Sequence, residues 1–162
     1  MTAESSKRPP RLHRLERIYI RSPIYFITAC TEKRRPLLAN ETIHRSFVSF
    51  GERGGALGAW IGKYVLMPDH VHFFVALDER RQLLAPWMKS LKNSISKSLR
   101  SDGNSSPHWQ KDFFDHVLRS AESYSAKWEY VRANPVRAGL VKDADDWPYA
   151  GEIFPLEFRS DR

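Results

Sequence analysis

The chain has 162 residues, 41% of them hydrophobic, which is typical of a single globular domain with a substantial core. Its net charge of +7 favours an acidic partner, with nucleic acid ahead of a membrane surface. Cys30 is the only cysteine, which excludes an internal disulfide and a zinc site built from several thiolates. Because the sequence shows neither a signal-peptide core nor a window of membrane-spanning length, we expect a soluble cytoplasmic protein without a membrane partner.

The first part of the chain predicts an arm, a strand and a helix. Residues 1–16 are polar and basic and contain Pro9–Pro10, so they predict a flexible basic arm. The β-branched and aromatic residues from Ile24 to Thr31 predict a strand. Asn40 is a suitable N-cap and Gly54–Gly55 a suitable stop, which together predict a helix between them.

The middle of the chain predicts two strands joined by a tight turn. "LGAWIGKYVLMP" forms the first and is stopped by Pro68, and "HVHFFVAL" forms the second. A parallel crossover needs a longer connection than "MPDH" provides, so the two strands are predicted to be antiparallel.

The last part of the chain predicts a helix, a strand and another helix. "APWMKSLKNSISKSLRSDGN" has helical apolar spacing and is closed by Asp102–Gly103, "DFFDHVLRS" predicts a strand, and "AESYSAKWEYVRANP" a helix ending near Pro135. The predicted fold class is therefore α+β, an antiparallel sheet with helices packed on it. One domain is expected over residues 17–142, followed by an irregular tail over 143–162.

Two histidines stand in the most apolar of these strands. Side chains alternate along a strand, so His70 and His72 project from the same face and can hold one cation between them. Burying two adjacent imidazoles without partners is costly, which favours a metal over a pair satisfied by backbone or water. Two imidazoles without a cysteine cluster argue against structural zinc, and open positions for phosphate oxygens suit Mg²⁺ or Mn²⁺.

A third metal ligand is expected from "WEYVRANPVRAGLV". Tyr130 and Asn134 are spaced i, i+4 on the predicted third helix and therefore share one face. Asn134 offers a carbonyl oxygen and Tyr130 a phenol. On composition alone the structural alternative is favoured, in which Tyr130 is a core aromatic and Asn134 caps the helix before Pro135.

The motifs "YVLMPDHVHFFVAL", "HWQKDFFDHVLRSAESYSAKWEYVRANPVRAGLV" and "DDWPYAG" resemble the REP-associated tyrosine transposases. These belong to the single-tyrosine, IS200-like transposases with a His-hydrophobic-His motif, and the resemblance extends from about Ile24 to Gly151. It implies a ferredoxin-like or RRM-like palm, and a bacterial protein associated with the nucleoid. It also implies that His70, His72 and Asn134 bind the metal and that Tyr130 is the nucleophile, ahead of Tyr124.

The resemblance further implies a reaction and a substrate. Tyr130 would attack a phosphodiester of single-stranded DNA bearing palindromic hairpins. The products would be a 5′-phosphotyrosine link and a free 3′-OH that can reverse the step. Two alternatives remain, a metal phosphodiesterase that uses water and a non-catalytic hairpin-binding protein. The sequence leaves open whether the protein is a monomer or a homodimer.

Basic residues in two segments are candidates for the DNA backbone, with a solvated surface as the alternative. A tryptophan can stack on unpaired bases, although tryptophans are more often in the core. The candidates are Arg11, Arg14 and Arg17 in the arm, Lys89, Lys92, Lys97 and Arg100 on the second helix, and Trp109.

Overall fold

The structure is a computed structural model that describes residues 18–20 and 24–158. The predicted basic arm, with Arg11, Arg14 and Arg17, lies outside the described residues. No helix in the described part of the chain is both long and apolar enough to cross a membrane.

Strands in the described residues form a five-stranded sheet and a smaller two-stranded sheet. The larger sheet has the order β5-β2-β4-β3-β6 and all its neighbours are antiparallel, whereas β1 pairs with β7 in parallel. The strands are β1 Ile18–Ile20, β2 Ile24–Cys30, β3 Ala59–Leu66, β4 His70–Leu77, β5 Phe114–Leu118, β6 Ala150–Glu152 and β7 Leu156–Phe158.

Two long helices cover one face of the large sheet and a third lies on the other. The helices are α1 Glu41–Gly54, α2 Leu84–Ser101, α3 Ala121–Arg132 and the short α4 Asn134–Arg137. On the first face, Phe73 of β4 contacts Phe47 of α1 and Trp87 of α2, with ring centroids 5.6 and 5.9 Å apart. On the opposite face, Phe74 of β4 contacts Tyr124 of α3 at 4.7 Å. The predicted α+β fold is confirmed.

Local sequence signals explain where these elements begin and turn. The Asn40 side chain accepts a hydrogen bond of 3.0 Å from the backbone N–H of Ile43, as expected of an N-cap. β3 and β4 form the predicted hairpin, closed by a 2.8 Å bond from Met67 N to the His70 carbonyl. The hairpin fixes where β4 begins, and therefore which face its first residue, His70, occupies.

The C-terminal part of the chain differs from the prediction. The third helix ends at Arg132 and a separate α4 follows, with Pro135 in its first turn, where a missing N–H costs no hydrogen bond. Residues 143–158 are not an irregular tail, because β6 extends the large sheet beside β3 and β7 pairs with β1. Ile153 and Phe154 join the core at 7% and 6% exposure.

We expect Phe154→Ala to destabilise the protein strongly, although the residue lies beyond the domain boundary that the sequence predicts. Removing a buried aromatic ring leaves a cavity and typically costs about 3–5 kcal/mol. The measurement is the free energy of unfolding from urea denaturation. Lys142→Ala, a change at an exposed residue just before this segment, is the control and should stay within about 0.5 kcal/mol of the parent. Equal stability of the two variants would contradict the assignment of this segment to the core.

Candidate active site

The two histidines of β4 form one wall of the candidate site. His70 and His72 are partly buried, and their ring centroids are 4.7 Å apart with the planes at 78°. The ring of Phe26, on β2, stacks on His72 with a centroid separation of 5.3 Å. The structure thus places both imidazoles on one face of the sheet, on the side that carries α3.

Each imidazole has its Nδ1 atom held by a neighbour. Asp69 Oδ1 lies 2.7 Å from His70 Nδ1, and Thr28 Oγ1 lies 2.8 Å from His72 Nδ1. Thr28 is the cross-strand partner of His72 in the pairing of β2 with β4. Because Nδ1 is engaged in both rings, Nε2 is the nitrogen available to an outside ligand, the arrangement seen for metal-binding histidines.

Burial and nearby charges keep His72 neutral. Burial raises the pKa of Asp69, but hydrogen bonds from His70 and Arg34 outweigh it and hold the pKa below the ordinary value. Arg34 Nε donates to Asp69 Oδ2 at 2.9 Å. Burial, followed by the charges of His70, Lys127, Arg137 and Arg34, lowers the pKa of His72 to about 3. His72 is therefore neutral at physiological pH, as a metal ligand must be.

The ends of α3 and α4 complete a cleft of about 480 Å³. Its lining includes His70, His72, Tyr130 and Asn134, which brings together the four residues selected from the sequence. Tyr130 is 65% exposed, so its phenol is accessible to a substrate in the cleft. Val131 is only 2% exposed and packs against β3, which anchors this end of α3 to the sheet.

Arg137 links Tyr130 to Asn134 and was not selected from the sequence. Its guanidinium lies 4.1 Å from the centre of the Tyr130 ring, and its Nη2 donates to the Tyr130 carbonyl at 2.7 Å. The same nitrogen donates to Asn134 Oδ1. A basic residue three positions after Asn134 lies on the same face of a helix, and this spacing is the signal that sequence reasoning missed.

The donor set fits a divalent cation if one contact changes. Within residues 18–20 and 24–158, no group of three or more His, Cys, Asp or Glu side chains is placed to hold a metal ion. The available donors are therefore the Nε2 atoms of His70 and His72 and the amide oxygen of Asn134. That oxygen is bonded to Arg137 and must leave it to become a ligand.

Tyr124, the competing nucleophile, lies in the core. It is 7% exposed, its ring packs against Phe74, and burial raises the pKa of its phenol. It is not among the residues that line the cleft.

The basic candidates on α2 lie on the other face of the sheet. Lys89, Lys92, Arg100 and Trp109 line a groove of about 790 Å³ between α2 and the segment 106–113, here called the α2 groove. Lys97 is exposed but is not part of this lining. The ammonium of Lys92 donates to the carbonyls of Gln110 at 3.0 Å and Asp112 at 3.2 Å, so it holds the loop in place.

Comparison with known proteins identifies the family. A family model described as "Transposase IS200 like" matches residues 20–134. The chain belongs to the IS200-like transposases. As a tyrosine transposase it is an enzyme that cleaves and rejoins DNA, and the resemblance to the REP-associated branch is confirmed by the relatives below.

Three proteins similar to this transposase each cover most of its length. A protein of Escherichia coli (strain K12) named REP-associated tyrosine transposase is 24% identical over 156 residues, which cover 90% of each chain. A solved structure described as "the REP associates tyrosine transposase bound to a REP hairpin" has a TM-score of 0.63 and 25% identity, covering 83% of this chain and 79% of that one. A Deinococcus radiodurans structure, 17% identical with a TM-score of 0.51, shares the fold over 72% of this chain and 93% of its own.

We expect His72 to make the stability of the metal-free protein depend on pH. The unfolded chain takes up a proton on this residue below pH 6.5, whereas the folded protein holds it neutral down to about 3. Stability from His72 is therefore present above 6.5 and is lost as the pH falls toward 3. Between pH 7 and 5 the loss is about 2 kcal/mol.

The measurement is the free energy of unfolding in EDTA at pH 7 and pH 5. His72→Gln removes the titrating group, so its stability should fall less over this interval than that of the parent. Other titrating residues are common to both proteins and cancel in the comparison. Identical pH dependence of parent and variant would contradict the assignment of a neutral, buried His72.

Proposed function

We propose that this transposase is a metal-dependent endonuclease and strand transferase that acts on single-stranded, hairpin-bearing DNA through a 5′-phosphotyrosine. The observation that carries the proposal is the shared cleft of His70, His72 and Tyr130. The phenol comes from α3 and the imidazoles from β4, so residues distant in the chain line one space that is open to a substrate.

Tyr130 supplies the nucleophile. Its phenolic oxygen attacks the phosphorus, a new oxygen–phosphorus bond forms, and the bond from phosphorus to the 3′ oxygen breaks. The phenolic proton passes to water and the leaving oxygen ends as a free 3′-OH. Because the ester to Tyr130 conserves the phosphodiester, attack by a 3′-OH reverses the step and joins strands.

His70, His72 and Asn134 would hold the divalent cation, Mg²⁺ or Mn²⁺. When bound, such a cation stabilises the charge that develops on the phosphate oxygens. Thr28 and Asp69 orient the two rings through Nδ1, so the direction of both Nε2 atoms is set before any ligand arrives.

Two basic residues would assist the reaction, and Arg137 would act on the nucleophile. Its contact with the Tyr130 ring restricts the phenol, which reduces the entropy lost when the reacting atoms are aligned. Lys127 lines the same cleft and adds a second cation near the position of the phosphate.

The relatives support the substrate class. The Escherichia coli relative is named for its association with REP sequences, and the solved neighbour is bound to a REP hairpin. We propose a hairpin of this kind as the substrate, with the α2 groove and the arm residues Arg11, Arg14 and Arg17 as contacts to the DNA backbone. The α2 groove contains exposed cations and an aromatic residue, which suits DNA.

Tyr130→Phe should abolish the covalent adduct. The test incubates the protein with a hairpin-bearing single strand and Mn²⁺ and detects the DNA-linked species on a denaturing gel. Tyr124→Phe is the matched control, since it removes a phenol from the same helix outside the cleft, and it should retain the adduct. His70→Ala should lower adduct formation by at least about 10-fold, as expected when a metal ligand is lost.

Other results would identify the competing functions. Cleavage that persists in Tyr130→Phe without an adduct would replace the proposal with a phosphodiesterase that uses water. Hairpin binding without cleavage by the parent protein, unchanged in His70→Ala and Tyr130→Phe, would indicate a binding protein without catalysis.

The α2 groove predicts a change in salt dependence. Lys89→Ala combined with Arg100→Ala removes two exposed cations from the groove, so the slope of log K against log salt should become shallower by about 1.4 on single-stranded DNA. Affinity would be measured by fluorescence anisotropy over a salt series. Lys97→Ala is the matched control, an exposed cation on the same helix outside the groove, and should leave the slope unchanged. A larger effect of the control than of the double variant would overturn the assignment.

A further inference from the structure

An exposed phenylalanine lies on the same side of the sheet as the catalytic cleft. Phe114 is 73% exposed, the highest value among the large apolar side chains in the described part of the chain. The residue before it, Phe113, packs against the core. Phe113 lies just before β5 with its ring packed inward, whereas Phe114 begins the strand with its ring exposed to solvent.

The register of the sheet places the exposed ring in line with the site. Phe114 pairs with Thr28 of β2, and Thr28 pairs with His72 of β4. Residues directly opposite one another in antiparallel strands point to the same face. The Phe114 side chain thus lies in one row with Thr28 and His72, two strands or about 10 Å from the histidine.

The next pair of residues along β5 and β2 also has aromatic rings on this face. His116 of β5 is exposed and pairs with Phe26, whose ring stacks on His72. We call Phe114, His116, Phe26 and Thr28 the β5 shelf. Its residues belong to the two strands on the β5 side of the imidazoles.

Helix α3 covers Phe26 but leaves the β5 residues of the shelf exposed. Its side chains lie over Phe74 and reach Phe26, where Lys127 Nζ is 5.2 Å from the ring centre. Beyond Phe26, the β5 residues Phe114 and His116 remain exposed on this face. Single exposed apolar residues are common on protein surfaces, but this ring is on an open sheet face that continues into a reactive cleft.

We propose that the β5 shelf binds an unpaired nucleotide next to the scissile phosphate, with its base stacked on Phe114. Aromatic rings on an open sheet beside cations are the combination that binds single-stranded nucleic acid. Lys127 and Arg137 line the adjoining cleft and suit the phosphates on either side of the stacked base. The inference rests on the proposed function, because it assigns part of the single-stranded substrate to a place on the protein.

The test measures binding without chemistry. The protein carries Tyr130→Phe, the buffer contains EDTA, and the probe is a labelled oligothymidylate followed by fluorescence anisotropy. Adding Phe114→Ala should weaken binding by about 10-fold or more, the loss expected for one stacked base. Phe114→Tyr retains an aromatic face and should restore most of the affinity. Leu83→Ala, a change at a residue 64% exposed outside the shelf, is the control and should have no effect.

A second probe separates stacking from a general loss of affinity. A strand of the same length built only of abasic nucleotides keeps the phosphates and lacks the bases. The abasic strand should bind the Phe114→Ala variant and the parent with equal affinity. Removing the bases should therefore reduce the affinity of the variant less than that of the parent. Unchanged thermal unfolding of Phe114→Ala would show that the fold is retained.

Several outcomes would overturn the inference. The first is equal affinity of Phe114→Ala and its parent for oligothymidylate. The second is a loss of affinity on the abasic strand as large as that on oligothymidylate, and the third is a loss of affinity only on duplex DNA. A fall in the oligomeric mass of Phe114→Ala with unchanged DNA affinity would instead assign the shelf to a second copy of the chain. Adduct formation by Tyr130 is measured separately, so a failure of the proposed function is distinguishable from a failure of the shelf.

Discussion

The pairing of β2 with β4 is the constraint on which the whole site depends. It places Thr28 opposite His72 and Cys30 opposite His70, so both imidazoles face α3 and one has its hydrogen-bond partner directly across the strand. A shift by one residue would turn the imidazoles into the aromatic core under α1 and α2. The burial of Phe73 on that side therefore specifies the register, and the position of the histidines follows from it.

The break between α3 and α4 is the second determinant of the site. A continuous helix would carry the chain past the cleft, whereas Pro135 in the first turn of α4 allows a new helix to start at Asn134. Val131 packs on β3 beside this break, so the last turn of α3 is fixed while Tyr130 remains exposed. Val131 thus packs in the core, while its neighbour Tyr130 is accessible to a substrate.

The sequence predicted the strands and helices whose apolar residues recur with a clear period, and it predicted the site residues that lie on them. The strand with His70 and His72 and the helix with Tyr130 were both predicted, because apolar alternation and a specific motif coincide there. The short β6 and β7 were missed, since three-residue strands such as "AGE" depend on tertiary pairing rather than on propensity. The contacts of Arg137 with Tyr130 were missed because they cross the break between α3 and α4. The bonds of Lys92 to loop carbonyls have no signal in the sequence.

The electrostatics of the cleft connect the two ligands of the proposed reaction. Burial is the main cause of the low pKa of His72, and the charges of His70, Lys127, Arg137 and Arg34 add to it. These basic groups lie near the imidazole before any ligand binds. A divalent cation alone would be repelled by these basic groups. A DNA phosphate would reduce this repulsion, because it brings a negative charge beside the basic groups and adds oxygen donors. Since such coupling is reciprocal, cation and DNA should each strengthen the binding of the other. In the proposed mechanism, the scissile phosphate would complete the metal site.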